Sequence, residues 1–162
     1  GTHGTGKSTK TLALANKLKS ARPEKDVRII EIDGISRDCL LPINTETTQA
    51  SQLWIWTAQL NREILSKADI LVCSRSILDF LIYTKVAGFA DIAEKMLPMT
   101  LCWLKTYDEL IWLRPQDSLA NDGIRDTDRK WQLKIDTEFE KFIKKYAIPV
   151  KCSLFINSLG MY

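Results

Sequence analysis

Apolar residues follow two alternating rhythms along the chain. Short, compact runs occur at Val27–Ile32, Ala68–Cys73, Glu109–Leu113 and Ile148–Phe155, and each reads as a strand. Between them, apolar positions return at helical spacing. A helix-forming stretch with Leu12, Ala15 and Leu18 runs up to Pro23. From Thr48 to Lys67, the positions Leu53, Trp56, Leu60, Ile64 and Leu65 predict a helix with those residues on its apolar stripe. Leu78–Met96 reads as one or two helices broken near Gly88, with a further helical piece at Met99–Leu104. Thr127–Tyr146 is amphipathic, with Trp131, Ile135, Phe139, Phe142, Ile143 and Tyr146 on one stripe. Ile35–Asn44 reads as a loop around Pro42, and Asn121-Asp122-Gly123 as a turn. Strands alternating with helices predict an α/β fold: a parallel sheet covered by helices on both faces. No repeat or linker divides the chain, so residues 1–162 are expected to form one domain.

Composition narrows the picture. A chain of 162 residues can bury a sizeable single core. Its net charge of +3 suits an anionic ligand and does not indicate a surface for wrapping nucleic acid. No apolar run is long enough to span a bilayer, and no signal peptide is visible. Cysteines stand at 39, 73, 102 and 152, none in a C-x-x-C pair, and His3 is the single histidine. That pattern speaks against a zinc site. Scattered thiols of this kind suit a reducing cytoplasm and act as small hydrophobes.

The chemistry is concentrated at the start. Gly1-x-x-x-x-Gly6-Lys7-Ser8 fits the P-loop pattern, and helix-forming sequence follows at once. A loop that wraps a polyphosphate must turn consecutive backbone N–H groups inward. Side chains at the closest approach would block it, hence Gly1, Gly4 and Gly6. The next helix aims its positive end at the same phosphates. The expected cofactor-binding set is Gly1, Thr2, His3, Gly4, Thr5, Gly6, Lys7, Ser8 and Thr9, with ATP and Mg²⁺ as cofactors. Lys7 carries charge to the β- and γ-phosphates, the Ser8 hydroxyl is the expected metal ligand, and Thr9 reaches the α-phosphate. His3 has no triad partner and reads as a loop side chain. A P-loop joins a buried strand to a helix, so a short apolar strand is expected before Gly1, making this a P-loop NTPase fold without its first strand. The C-terminal end leaves room for a further element.

In doubly wound sheets, ligands collect beyond the carboxyl ends of the strands. Those positions hold Asp33, Gly34 and Arg37, then Ser74, Arg75, Ser76 and Asp79, then Arg114 and Gln116. Cys73-Ser74-Arg75-Ser76-Ile77-Leu78-Asp79 resembles the Asp/Glu-Arg-Ser/Tyr segment of nucleoside and nucleotide kinases. Leu41-Pro42-Ile43-Asn44-Thr45-Glu46 with Gln52-Leu53-Trp54 is similar to P-loop kinase-like ATP-binding proteins, a family that includes nicotinamide riboside kinase domains and lies close to thymidylate kinases. Asp122-Gly123-Ile124-Arg125 resembles the lid segment of that group.

The resemblance implies roles. Arg125 and Arg129 would close over the transferring phosphoryl group, a task that suits a planar, permanently charged guanidinium. Arg75 would anchor the acceptor or a phosphate; the alternative is an ion pair with Asp79, itself a substrate-site candidate. Arg37 is a weaker anchor. Asp33 is the candidate for orienting the acceptor hydroxyl or taking its proton, against the alternative of a turn-forming Asp-Gly pair. Trp54 is the tryptophan offset from the apolar stripe and the candidate for stacking on a base. Relatives carry an acid where this chain has Ser74, so metal binding falls to Asp33 or to Ser8 and the phosphates, or else catalysis is weak.

The reading that follows is ATP- and Mg²⁺-dependent phosphoryl transfer to a small nucleoside- or nucleotide-like acceptor. The rivals are an ATP-hydrolysing switch, a kinase acting on DNA ends or bases, and an ATP-binding module with little or no catalysis. A small-molecule acceptor is favoured over nucleic acid, no membrane partner is expected, and a homodimer is compatible with the sequence.

Overall fold

The computed structural model describes residues 2, 5–30, 35, 38–43, 46–115 and 129–152. Helix α1 is Lys7–Ala21, followed by β1, Val27–Ile30, and α2, Gln49–Leu65. Strand β2 is Ile70–Cys73, α3 is Ile77–Val86 and α4 is Ala90–Leu104. The chain closes with β3, Ile111–Trp112, α5, Arg129–Lys145, and β4, Lys151–Cys152. Both strand pairings are parallel. Val27 lies opposite Ile70 and Ile30 opposite Cys73, while Ile111 lies opposite Lys151. The described strands therefore form two parallel pairs, β1-β2 and β3-β4, rather than one sheet.

The core is organised by α3. Ile77, Leu78, Phe80, Leu81, Ile82 and Val86 are all buried, so this helix is buried around most of its circumference. Such a helix must lie at the centre, and α2, α4 and α5 pack around it. From α5 come Ile135, Phe139 and Phe142, with Trp131, Ile143 and Tyr146 against the same cluster. This is the stripe expected from the sequence. Asp136 of the same helix accepts from Trp112 Nε1 at 3.1 Å and from Arg114 Nη2 at 2.9 Å, which pins the end of β3 to α5.

The break between α3 and α4 falls at Gly88, whose φ of +97° is a left-handed conformation that other residues rarely adopt. Met99–Leu104 is not a separate helical piece. It continues α4 through Pro98. Proline removes one ladder hydrogen bond, and the buried Ala93, Met96, Thr100 and Leu104 hold the two sides in register.

The face of α2 differs from the expected one. Its buried residues are Ser51, Ile55, Trp56, Gln59 and Glu63, whereas Leu53, Ile64 and Leu65 are 42%, 54% and 75% exposed. Two polar residues turn inward because each finds partners. Glu63 accepts from Gln59 Nε2 at 2.6 Å, Trp103 Nε1 at 2.6 Å and the Tyr107 hydroxyl at 3.0 Å. Gln59 Nε2 also reaches the Arg75 carbonyl at 3.3 Å, and the Tyr107 oxygen accepts from the Ile77 N–H at 3.1 Å. A fully partnered buried acid ties α2 to α3 and α4, where an unpartnered one would be costly.

That acid also shapes a thiol. Burial, with the Glu63 charge added, pushes Cys73 up to about 12, so it stays protonated and unreactive, whereas Cys102 is exposed. At pH 8 a thiol-alkylating reagent is expected to label Cys102 quickly and leave Cys73 unlabelled in the folded protein. Peptide mass spectrometry checks this, and equal labelling of the two would contradict it.

Candidate functional site

The loop and the first turn of α1 form the core of the site. Gly6 is the N-cap of α1, in the left-handed region at φ 70°, and no side chain caps the helix. A Cβ at Gly6 would meet nothing within 4 Å, so glycine is needed there for its backbone, at about 1 kcal/mol for any other residue. The first i→i−4 bond of α1 runs from Lys10 N–H to Gly6 C=O at 3.0 Å, so the Ser8 and Thr9 amides are not consumed by the helix ladder. The first turn holds no acid, and Ser8 and Thr9 are exposed. This helix end is positive, uncapped by any side chain and open to an anion.

Within the loop, Thr2 is fully buried and Thr5 nearly so. The Thr5 hydroxyl donates to the Thr2 carbonyl at 3.0 Å. Lys7 Nζ folds back onto the same Thr2 carbonyl and lies 3.5 Å from Thr5 Oγ1. The ammonium is thus held over the loop by neutral oxygens. Gly1, His3 and Gly4 lie outside the described residues.

The second component is the turn from β2 into α3. Ser74 N–H donates to the Ile30 carbonyl at 2.9 Å, which ties the ends of β1 and β2 together. Ser76 and Asp79 form a capping box: the Ser76 N–H and hydroxyl both donate to Asp79 Oδ2, at 2.9 and 2.8 Å. Arg75 lies 3.6 Å from Asp79 Oδ1 and over the Tyr83 ring at 4.8 Å. Of the two readings of Arg75, the ion pair with Asp79 is present in the structure. Burial pushes the Asp79 carboxyl up, while the positive charges of Arg75 and Lys7 pull it down. Lys7 lines the same cavity as Ser74, Arg75, Ser76 and Asp79, so the loop faces the β2–α3 turn.

The remaining candidates are more dispersed. Trp54 is 37% exposed on α2, off the buried face. Three of the other tryptophans donate their indole N–H internally: Trp56 to Thr100 at 3.3 Å, Trp103 to Glu63 and Trp112 to Asp136. The fifth, Trp131, packs against the core. Arg129 opens α5, and its Nη1 donates to Gln132 Oε1 at 2.6 Å. Asp33, Arg37 and Arg125 lie outside the described residues. Two buried acids, Glu63 and Asp136, escaped the sequence reading. A signal for Glu63 was the Gln59–Glu63 pair at i,i+4 spacing.

An uncapped helix N-terminus behind a left-handed glycine, facing the turn that follows a parallel strand pair, is the arrangement of a P-loop nucleotide-binding domain. The chain belongs to the family described as AAA domain, whose model matches residues 1–152. That family is of the P-loop NTPase type, and its domains generally bind ATP with Mg²⁺. No curated protein and no solved structure matches the chain. Among the described residues, no helix is long and apolar enough to cross a membrane.

Proposed function

We propose that this chain is an ATP- and Mg²⁺-dependent phosphotransferase acting on a small nucleoside- or nucleotide-like acceptor in the cytoplasm. The observation that carries the reading is the start of α1, where a left-handed Gly6, a helix end without a side-chain cap or acid, and Lys7 converge. The Ser8 and Thr9 amides bind phosphate oxygens, Lys7 moves from the Thr2 carbonyl to the β- and γ-phosphates, and the Ser8 hydroxyl is the metal ligand. Bound Mg²⁺ supplies neutralisation of charge on the polyphosphate. Arg125 and Arg129 close over the transferring group, Asp33 orients the acceptor hydroxyl, and Trp54 offers its exposed ring to a base. Arg37, Arg75 and Asp79 line the acceptor side, the last two setting the turn that faces the loop.

Family membership also favours a second reading, ATP hydrolysis with water as the acceptor. Against it stands Ser74 at the end of β2, where a hydrolase needs a carboxylate to hold the metal or orient water. The two separate in one experiment. ADP and free phosphate are measured from ATP·Mg²⁺ alone, then with nucleosides, nucleoside monophosphates, nicotinamide riboside or oligonucleotides. The phosphotransferase gives ADP only when an acceptor is present, with one phosphorylated acceptor per ADP. Free phosphate formed at the same rate without an acceptor would overturn it.

A further inference from the structure

Two side chains outside the mechanism proposed above reach the wall of its site. Glu63 of α2 is buried. It and Tyr107 line the same cavity as Lys7, Ser74 and Asp79. The Glu63 carboxylate accepts from Gln59, Trp103 and Tyr107 at once. Two of these donors do not stop at the acid. The Tyr107 oxygen accepts from the Ile77 N–H at 3.1 Å, and Gln59 Nε2 donates to the Arg75 carbonyl at 3.3 Å as well. Between those two points, Ser76 gives both its N–H and its hydroxyl to Asp79. Residues 75, 76 and 77 are each tied to a side chain, and two of the three ties lead back to Glu63.

The relay has a direction. Burial, with the Glu63 charge added, pushes the Tyr107 hydroxyl up. It therefore keeps its proton, points it at the acid and offers its oxygen to Ile77. A hydroxyl that donates to a carboxylate is the better acceptor, because linked hydrogen bonds polarise one another. The Ile77 N–H is one of the amides that a helix start leaves without a ladder partner. In α3 it is spent on Tyr107, whereas α1 starts without a side-chain cap. The closed start of α3 thus fixes the turn that faces the open start of α1.

We infer that Glu63 and Tyr107 are positioning residues for the phosphate site, holding the β2–α3 turn in place opposite Lys7. The inference rests on reading the start of α1 as that site. Both residues act through Arg75 and Ile77 and not on the nucleotide itself. A shift of about 1 Å in a supporting group can cost on the order of 10²-fold in rate. The amides of α1 and Lys7 grip the phosphates, and the turn forms the opposite wall. Loosening the turn therefore lowers kcat more than it raises KM for ATP.

The test compares the full-length protein with its Tyr107→Phe and Trp103→Phe variants. Each substitution removes a side chain's hydrogen bonding to Glu63, but only Tyr107→Phe cuts the tie to Ile77. ADP formation from ATP·Mg²⁺ is measured with nucleosides and nucleoside monophosphates present, alongside Tm and amide hydrogen exchange at Ile77. In Tyr107→Phe, kcat is expected to fall about tenfold or more while KM for ATP changes by less than about threefold. Exchange at Ile77 should quicken by about tenfold or more. Trp103→Phe also loses packing, so its Tm should fall at least as far, yet its kcat should stay within about threefold of wild type. Activity that follows Tm across both variants, or an unchanged kcat in Tyr107→Phe, would overturn the inference. A wild-type protein that forms no ADP would instead remove the phosphate-site reading, and the inference with it. Should Tyr107→Phe not fold, Gln59→Met, which frees the Arg75 carbonyl, is put to the same comparison and decided by the same outcomes.

Discussion

Replacing Lys7 with alanine is expected to lower ATP-dependent kcat/KM by about 10²- to 10³-fold or more while the circular dichroism spectrum and Tm stay essentially unchanged. The magnitude is that of removing a preorganised charge aimed at a developing negative charge in a water-poor site. The fold survives because the Lys7 ammonium meets the Thr2 carbonyl and the Thr5 hydroxyl of the loop, outside the cluster centred on α3. Lys7→Arg keeps the charge but replaces a compact ammonium with a planar fork, so it should recover only part of the activity. Steady-state kinetics on the three proteins checks this. Full activity in Lys7→Ala would remove the lysine from the mechanism.

The Asp79→Ala variant is expected to lose about 3 to 5 kcal/mol of stability, the cost of leaving a buried partner charge uncompensated. Asp79 is 3% exposed. Its loss strips Ser76 of its N-cap acceptor and Arg75 of its 3.6 Å partner. The cap alone is worth about 0.5–2 kcal/mol, and the two losses share one carboxylate, so they do not simply add. Tm should fall by about 6–20 °C for a domain of this size, as read by thermal denaturation. The pH dependence has a definite sign. The Ser76 N–H and hydroxyl and the Arg75 charge favour the ionised carboxyl in the fold, so its contribution is present above the unfolded pKa of about 3.9 and is lost as pH falls and the carboxyl takes up its proton. The stability gap between wild type and Asp79→Ala should be full near neutrality and narrow under acid conditions. A gap that stays constant down to strong acid would show that the ionised carboxylate is not the cause.

Much of this was legible where one local rule dominates. The α5 stripe was read directly because Ile135, Phe139 and Phe142 recur at helical spacing, even though Gln132 and Asp136 are buried on the same helix. Gly88 marked the α3–α4 break because a left-handed turn needs glycine. Gly6 was legible for the same reason: it precedes α1 in a left-handed conformation. The face of α2 was not legible. Burying Gln59 and Glu63 instead of Leu53 and Ile64 depends on Trp103 and Tyr107, which are forty or more positions away. The separate piece expected at Met99–Leu104 was wrong for a related reason: tertiary packing of α4 carries the helix through Pro98. At the candidate site, Arg75 and Asp79 could be named, but whether they bind each other or a ligand depends on the Ser76 box and the Tyr83 ring. The acceptor stays hidden because its pocket is a matter of three-dimensional shape, which no local spacing encodes.

Calorimetric titration of the full-length protein with ATP, with and without Mg²⁺, tests the central claim most directly. Saturable one-to-one binding that is strengthened by Mg²⁺ and lost in Lys7→Ala is the predicted result. An absence of heat with any adenine nucleotide, or binding that is indifferent to the Lys7 substitution, would contradict a phosphate site at the start of α1.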